Sequence, residues 1–295
     1  MKSTLMVLRL ACLTLFFASA FAAEQVNRRV DAASDGLVTI DNKSGSVEVR
    51  GWSRNEVELT GDLGRGVEEL VFEKDGDTVQ IRVRTEGSHS GGGSDLVIQV
   101  PENSSLQVSG ISTDISVRDV RGAQRLQTIS GDIDSQVYAS DIDVNTVSGD
   151  VEIQGEGEKG YARFSTVSGD IDVENLAGEI EITSVSGDLV IADGSFERVQ
   201  ANTTSSDVVY HAALVGKARL DLETINGDVD IQFNGDVSAR FDIETFNGEI
   251  RNCFGPKPQR TSQYTPGSEL KFTEGGGTGR VTIRTLNGDL HLCKE

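Results

Sequence analysis

Thr146-Val147-Ser148-Gly149-Asp150-Val151 returns twenty residues later as Thr166-Val167-Ser168-Gly169-Asp170-Ile171. The same phrase stands at Thr128-Ile129-Ser130-Gly131-Asp132-Ile133 and at Ser184-Val185-Ser186-Gly187-Asp188-Leu189. With asparagine for serine it continues as Thr224-Ile225-Asn226-Gly227-Asp228-Val229, Thr245-Phe246-Asn247-Gly248-Glu249-Ile250 and Thr285-Leu286-Asn287-Gly288-Asp289-Leu290. Ser112-Thr113-Asp114-Ile115 and Thr204-Ser205-Ser206-Asp207-Val208 are weaker copies. From Gly131 the glycine position advances by 18, 20, 18, 19, 21, 21 and finally 40 residues, the fourth step landing on Ser206. The last interval holds the Pro- and Gly-rich stretch 255–279, read as an inserted loop in place of a regular coil. Periods near 20 signify stacked supersecondary units.

The apolar spacing says which unit. Apolar residues recur five before the glycine (Leu126, Val144, Phe164, Ile182, Leu222, Ile243, Ile283), two before it and two after it. The position four after is apolar as well at Ile153, Val173, Ile191, Ile231 and Leu292. Period-2 alternation with β-branched enrichment means strands, and no helical period appears. A unit this short holds two strands and two turns and cannot bury its own apolar face. Stacking the copies about 4.8 Å apart buries a continuous thin core. The expected fold is therefore all-β, a parallel β-solenoid of about nine coils with a period of 18–21. The alternation slips phase after the threonine, which places a bend there. An antiparallel meander folded into a sandwich or barrel is the competing reading, since Asn-Gly is a strong hairpin signal.

Upstream, residues 24–100 also alternate, as in Val79-Gln80-Ile81-Arg82-Val83 and Leu96-Val97-Ile98-Gln99-Val100, and Ser44-Gly45-Ser46-Val47 imitates the phrase. A soft boundary near Pro101 separates this β-rich portion from the repeats at 101–295. The glycine-rich loop 87–94 is no phosphate cradle, having neither a GxxxxGK[ST] motif nor a following helix.

Residues 1–23 read as a secretory signal peptide: Lys2 and Arg9, a short apolar run, then Ala18-Ser19-Ala20-Phe21-Ala22-Ala23. The run is too short to span a bilayer, and Arg9 stands against lipidation at Cys12. No later segment is long and apolar enough to cross a membrane, so the expectation is an exported protein, periplasmic or extracellular. Cys12 leaves with the signal, and Cys253 and Cys293 remain as one pair in an oxidising compartment. Each lies five residues after its phrase glycine, so adjacent frames would place them within disulfide range. Closing about 40 residues contributes on the order of 4 kcal/mol in the chain-entropy model and would staple the last coil.

Lys and Arg number 27 against 47 Asp and Glu, a net charge of −20, and no window supplies a basic stripe, which argues against a nucleic-acid binder. Residues 126–191 alone hold 14 acids against Lys159 and Arg163. The residue after the phrase glycine is always acidic, and Asp134, Glu152, Asp172 and Asp230 add a second column. Stacking makes two acidic ladders, with unit charges about 5 Å apart repelling by roughly 3 kcal/mol at an effective dielectric near 20. Two readings relieve that repulsion. One is a solvated face in which aspartates cap turn amides. The other is calcium held by Asp132, Asp134, Asp150, Glu152, Asp170 and Asp172, because calcium suits clustered carboxylates.

Gly51-Trp52-Ser53-Arg54-Asn55-Glu56-Val57, a strand ending in Val100-Pro101, and the tandem Ser-Gly-Asp phrases resemble the bacterial β-strand-repeat family of unknown function known as putative adhesin. They are similar in turn to the head domain of autotransporter adhesins. The resemblance implies a non-enzymatic cell-envelope protein that binds or scaffolds a surface ligand, protein or glycan, and implies no catalytic residues. Of the histidines, His89, His211 and His291, none neighbours a plausible nucleophile, and no carboxylate pair stands out as acid and nucleophile. Two further classes stay open: a carbohydrate-active β-helix enzyme and a calcium-dependent structural module. Arg219, Arg240 and Arg280 recur eight before the phrase glycine, a column the acid-rich coils lack.

Overall fold

The computed structural model describes residues 24–85, 92–139, 141–262 and 266–294. The expected signal peptide, Cys12 and His89 lie outside them. Among the described residues every regular element is a β-strand.

Each coil has two arms joined by the phrase. The leading arms Gln124–Gln127, Ile142–Asn145, Lys159–Ser168 and Ala177–Ser186 pair in parallel, with Leu126 beside Val144, Val144 beside Phe164 and Phe164 beside Ile182. The trailing arms Ile133–Val137, Val151–Gly155 and Ile171–Glu174 and the segment 189–192 stack the same way, Ile133 beside Val151, then Ile171, then Leu189. Each strand thus pairs with its counterpart one coil away and not with the strand across its own turn. The parallel, solenoid-like stacking stands, and the hairpin reading fails for these coils. The columns five before, two after and four after the glycine are buried and belong to one core running from Val38 to Leu292. Two-residue alternation sends every second side chain of each arm into that core.

The phrase glycine is demanded twice. Gly131, Gly149, Gly169, Gly187, Gly227 and Gly288 all have φ between 110° and 155°, a region L side chains avoid. The neighbouring coil also presses on them: a Cβ on Gly169 would sit 2.2 Å from the Gly149 carbonyl oxygen, and one on Gly187 2.2 Å from that of Gly169.

At both ends the stack departs from a regular solenoid. Strand Leu37–Trp52 is itself a full coil, its halves pairing in register with the two halves of Ser105–Arg118. Gly45, with φ 102°, serves as its phrase glycine, and the core therefore runs unbroken past Pro101. The coil made from Thr78–Thr85 and Ser94–Pro101 lies on the outer side of Leu37–Trp52 although it follows it in sequence. Antiparallel strands Val67–Asp75 and Glu56–Leu63, the latter carrying Glu24–Asp31, close that end. The opposite end mirrors the device. The last coil, Gly279–Asn287 with Leu290–Lys294, is threaded between 219–233 and the earlier coil Ala239–Asn247 with Ile250–Asn252. Strand Ser268–Glu274 from the inserted segment runs antiparallel along Ala239–Asn247 and covers its edge, a device that blocks further edge pairing. Phe233, Phe241, Phe254 and Phe272 plug the end of the core, with Phe241 and Phe272 stacked at 4.4 Å.

Cys253 and Cys293 form the expected disulfide, their Cα atoms 4.9 Å apart. Its place differs from the expectation. The C-terminal coil is clamped between two neighbours, so the bridge ties it to the outermost coil and holds that outer coil, not the chain end, against fraying.

Candidate functional site

The bend between the arms forms one long edge of the stack, built of four parallel columns. The first is apolar: Ile111, Ile129, Val147, Val167, Val185, then Thr204, Ile225, Leu286 and Phe246 in stack order. Except for Thr204 these side chains are 45% to 49% exposed. From Ile129 onward the residue before each, a threonine except at Ser184, is buried, so the bend turns one residue in and the next one out. The second column runs Ser112, Ser130, Ser148, Ser168, Ser186, Ser205, Asn226, Asn287, Asn247 through bridges between neighbouring coils. Asn287 donates its side-chain amide to Asn226 Oδ1 at 2.7 Å and accepts from Asn247 at 2.8 Å. Glycines, interrupted by Thr113 and Ser206, form the third column and acids the fourth.

The acid column is a hydrogen-bonded ladder. The backbone N–H of Asp132 donates to Asp114 Oδ1 at 3.1 Å, that of Asp150 to Asp132 at 3.0 Å, that of Asp170 to Asp150 at 2.9 Å and that of Asp188 to Asp170 at 2.8 Å. It continues through Asp207 and Asp228 to Asp289 and ends with Glu249, whose N–H donates to Asp289 Oδ1 at 2.9 Å. Each carboxylate from Asp114 to Asp289 thus caps a turn, and the turn is the neighbouring coil's. An ionised acceptor strengthens such a bond, which offsets the repulsion down the column.

The second acidic column is shorter. Asp134, Glu152 and Asp172 are in register on the outer side of the trailing arms, but Val190 and Val209 occupy the next two places. Asp134 is ion-paired with Arg118, and Asp230 faces His291 Nδ1 at 3.3 Å. Among the described residues the group bringing three potential metal ligands within 4.8 Å of one another is Cys253, His291 and Cys293. Its two sulfurs are bonded to each other, so His291 packs at 3.2 Å against Cys293 Sγ as a neighbour of the disulfide.

The exposed apolar column is the feature that sequence reasoning passed over, though its signal was present. The phase slip after each threonine marks the residue that leaves the core, and that residue stays apolar in nearly every copy.

The model of one protein family, Toastrack DUF4097, matches residues 37–208 and, in a second overlapping copy, 181–292. The chain belongs to this family. The Toastrack matches begin at the coil Leu37–Trp52 and end in the last coil, the span over which the parallel ladders run. Among solved structures, a putative adhesin of Bacteroides fragilis is 12% identical with a TM-score of 0.40, over 91% of this chain and 97% of that one. A putative lipid binding protein of Parabacteroides distasonis is 12% identical with a TM-score of 0.43, over 92% and 96%. A putative adhesin of Parabacteroides merdae is 9% identical with a TM-score of 0.40, over 92% and 96%. No curated protein matches the chain. Among the described residues no helix is long and apolar enough to cross a membrane.

Proposed function

We propose that this Toastrack protein is an exported, non-enzymatic, adhesin-like component of the bacterial cell envelope, a β-solenoid of about nine coils that binds or scaffolds a surface ligand. The observation that carries the reading is the apolar column at the bend. Stacking on its neighbours covers about half of each of these side chains and leaves the other half to water, and contiguous exposed apolar surface marks an interaction site. Here the apolar choice recurs at Ile111, Ile129, Val147, Val167, Val185, Ile225, Leu286 and Phe246, each close to half exposed, beside columns of serine, asparagine and aspartate that supply hydrogen-bonding groups. Long, flat and repetitive, such an edge suits an extended partner better than a small molecule. Export rests on the leader pattern of residues 1–23.

Photo-crosslinking from position 167 in intact cells, with position 152 on the trailing face as control, tests the reading. A discrete adduct from position 167 alone, on protein recovered from the envelope fraction, is the expected result. Protein confined to the cytoplasm, or equal labelling from both positions, overturns it.

A further inference from the structure

The outer face of the leading arms carries an arrangement that the edge does not explain. Arg198, Arg219, Arg280 and Arg240 stand side by side on four neighbouring strands, in register. Like charges directly opposite across strands destabilise a sheet, and this happens in a chain with 47 acidic residues against 27 basic ones. Departures from local rules concentrate where function requires them. The threading of the last coil contributes, for it sets Arg280 between Arg219 and Arg240.

The two ends of the row are not equivalent. Arg198 is paired with Glu179 at 3.3 Å and Arg219 with Asp221. Arg280 and Arg240 have no ion pair among the described residues, and both are exposed. They line a groove of about 780 Å³ together with Arg219. The row beside them is mixed, running Gln200, Asp221, Thr282, Asp242, Lys271, with Asp242 ion-paired to Lys271 at 3.8 Å. A ligand seated here meets unpaired guanidiniums along one side and carboxylate, amide and hydroxyl acceptors along the other.

That pairing is chemically selective. A uniformly charged polyanion would gain from the arginines but carries too few donors for Gln200, Thr282 and the remaining lone pairs of Asp221 and Asp242, which are themselves ion-paired to Arg219 and Lys271. A neutral chain would leave the guanidiniums unused. A saccharide bearing carboxylates satisfies both sides: its carboxylates accept from Arg280 and Arg240 in fork geometry, and its ring hydroxyls donate to Asp221, Asp242 and Gln200. We infer that the groove over Arg219, Arg280 and Arg240 is a binding site for an acidic, carboxylate-bearing oligosaccharide. This goes beyond the edge reading and is independent of it, since the groove and the apolar column occupy different faces of the coils.

Titration calorimetry of the full chain at low ionic strength against tetramers of galacturonate, glucuronate and mannuronate tests it. Methyl-esterified tetragalacturonate and inorganic phosphate serve as comparison probes. At least one acid tetramer is expected to bind. Its affinity should fall at least tenfold in the R240Q/R280Q double variant and should be lost on esterification. Both arginines are exposed and unpaired, so the variant should melt with the wild type, and R54Q, in the remote turn between Leu37–Trp52 and Glu56–Leu63, should bind unchanged. Three outcomes overturn the inference: no binding of any acid tetramer, equal binding by R240Q/R280Q, or phosphate competing as strongly as the tetramer. Crosslinking from position 167 is unaffected by any of them.

Discussion

Replacing Gly169 by alanine probes the stacking at its tightest point. Gly169 has φ 130°, where an alanine is strained by roughly 1–3 kcal/mol. Its new methyl would stand 2.2 Å from the carbonyl oxygen of Gly149 and 2.7 Å from that carbonyl carbon, more than 1 Å inside ordinary contact. Both atoms are backbone of the next coil, so neither can rotate away. Forcing the coils apart adds about 1–3 kcal/mol by analogy with overpacked cores. The combined loss is about 2–6 kcal/mol, a fall in melting temperature on the order of 10 °C for a chain of this size. Gly216→Ala separates the two contributions. Gly216 has φ 71° and nothing within 4 Å of the added Cβ, so only the conformational cost, roughly 1–2 kcal/mol, applies. Thermal melts followed by circular dichroism should place Gly169→Ala well below Gly216→Ala. If the two variants melt within about 2 °C of each other, the close approach between coils is not what demands the glycine.

Asp170→Asn keeps an oxygen for the Asp188 amide at 2.8 Å and removes a charge, so it should leave stability unchanged or raise it, whereas Asp170→Ala should cost about 1 kcal/mol in urea unfolding. If turn capping alone relieves the repulsion, the melting temperature is the same in millimolar calcium and in chelator, and a rise of several degrees with calcium would support the cation reading instead. Reducing Cys253–Cys293 should lower stability by about 4 kcal/mol at most, seen as a lower denaturant midpoint with reductant that Cys293→Ser reproduces without it. Glu181 accepts from Tyr161 Oη at 2.6 Å and from Arg163 at 2.8 Å, and these bonds hold its carboxyl below the ordinary range. A depressed folded-state pKa gives stability that is present above the ordinary value and lost as pH falls through the folded one, so Glu181→Gln should flatten the acid limb of a pH–stability profile.

Much of this architecture is legible in the repeat. Leu126, Val144, Phe164 and Ile182 occur at one offset from the glycine, and a column of fixed offset is a column in space once the coils stack in parallel. Cys253 and Cys293 become neighbours for the same reason. The order of the coils is not legible. The phrases at Asn226, Asn247 and Asn287 are interchangeable in register, so periodicity says that coils stack and not which coil lies on which. Only the threading past Ser268–Glu274 decides that, and it depends on contacts far apart in sequence. The partner of each aspartate was half visible: acid next to glycine signals a turn cap, but the capped amide belongs to a neighbour that the chain reaches about 20 residues later. The groove stayed hidden in part because Arg219, Arg240 and Arg280 share an offset without any sign of which lack an acidic partner.

The threaded order of the last three coils is the claim on which the disulfide's role and the arginine row both rest, and one pair of cysteine variants tests it. Asn287 bonds to both Asn226 and Asn247, whereas stacking in sequence order would set Asn226 directly against Asn247. Oxidative crosslinking should therefore join Asn226→Cys to Asn287→Cys and leave Asn226→Cys with Asn247→Cys unjoined. Rapid crosslinking of the 226/247 pair, with none for 226/287, would contradict the structure.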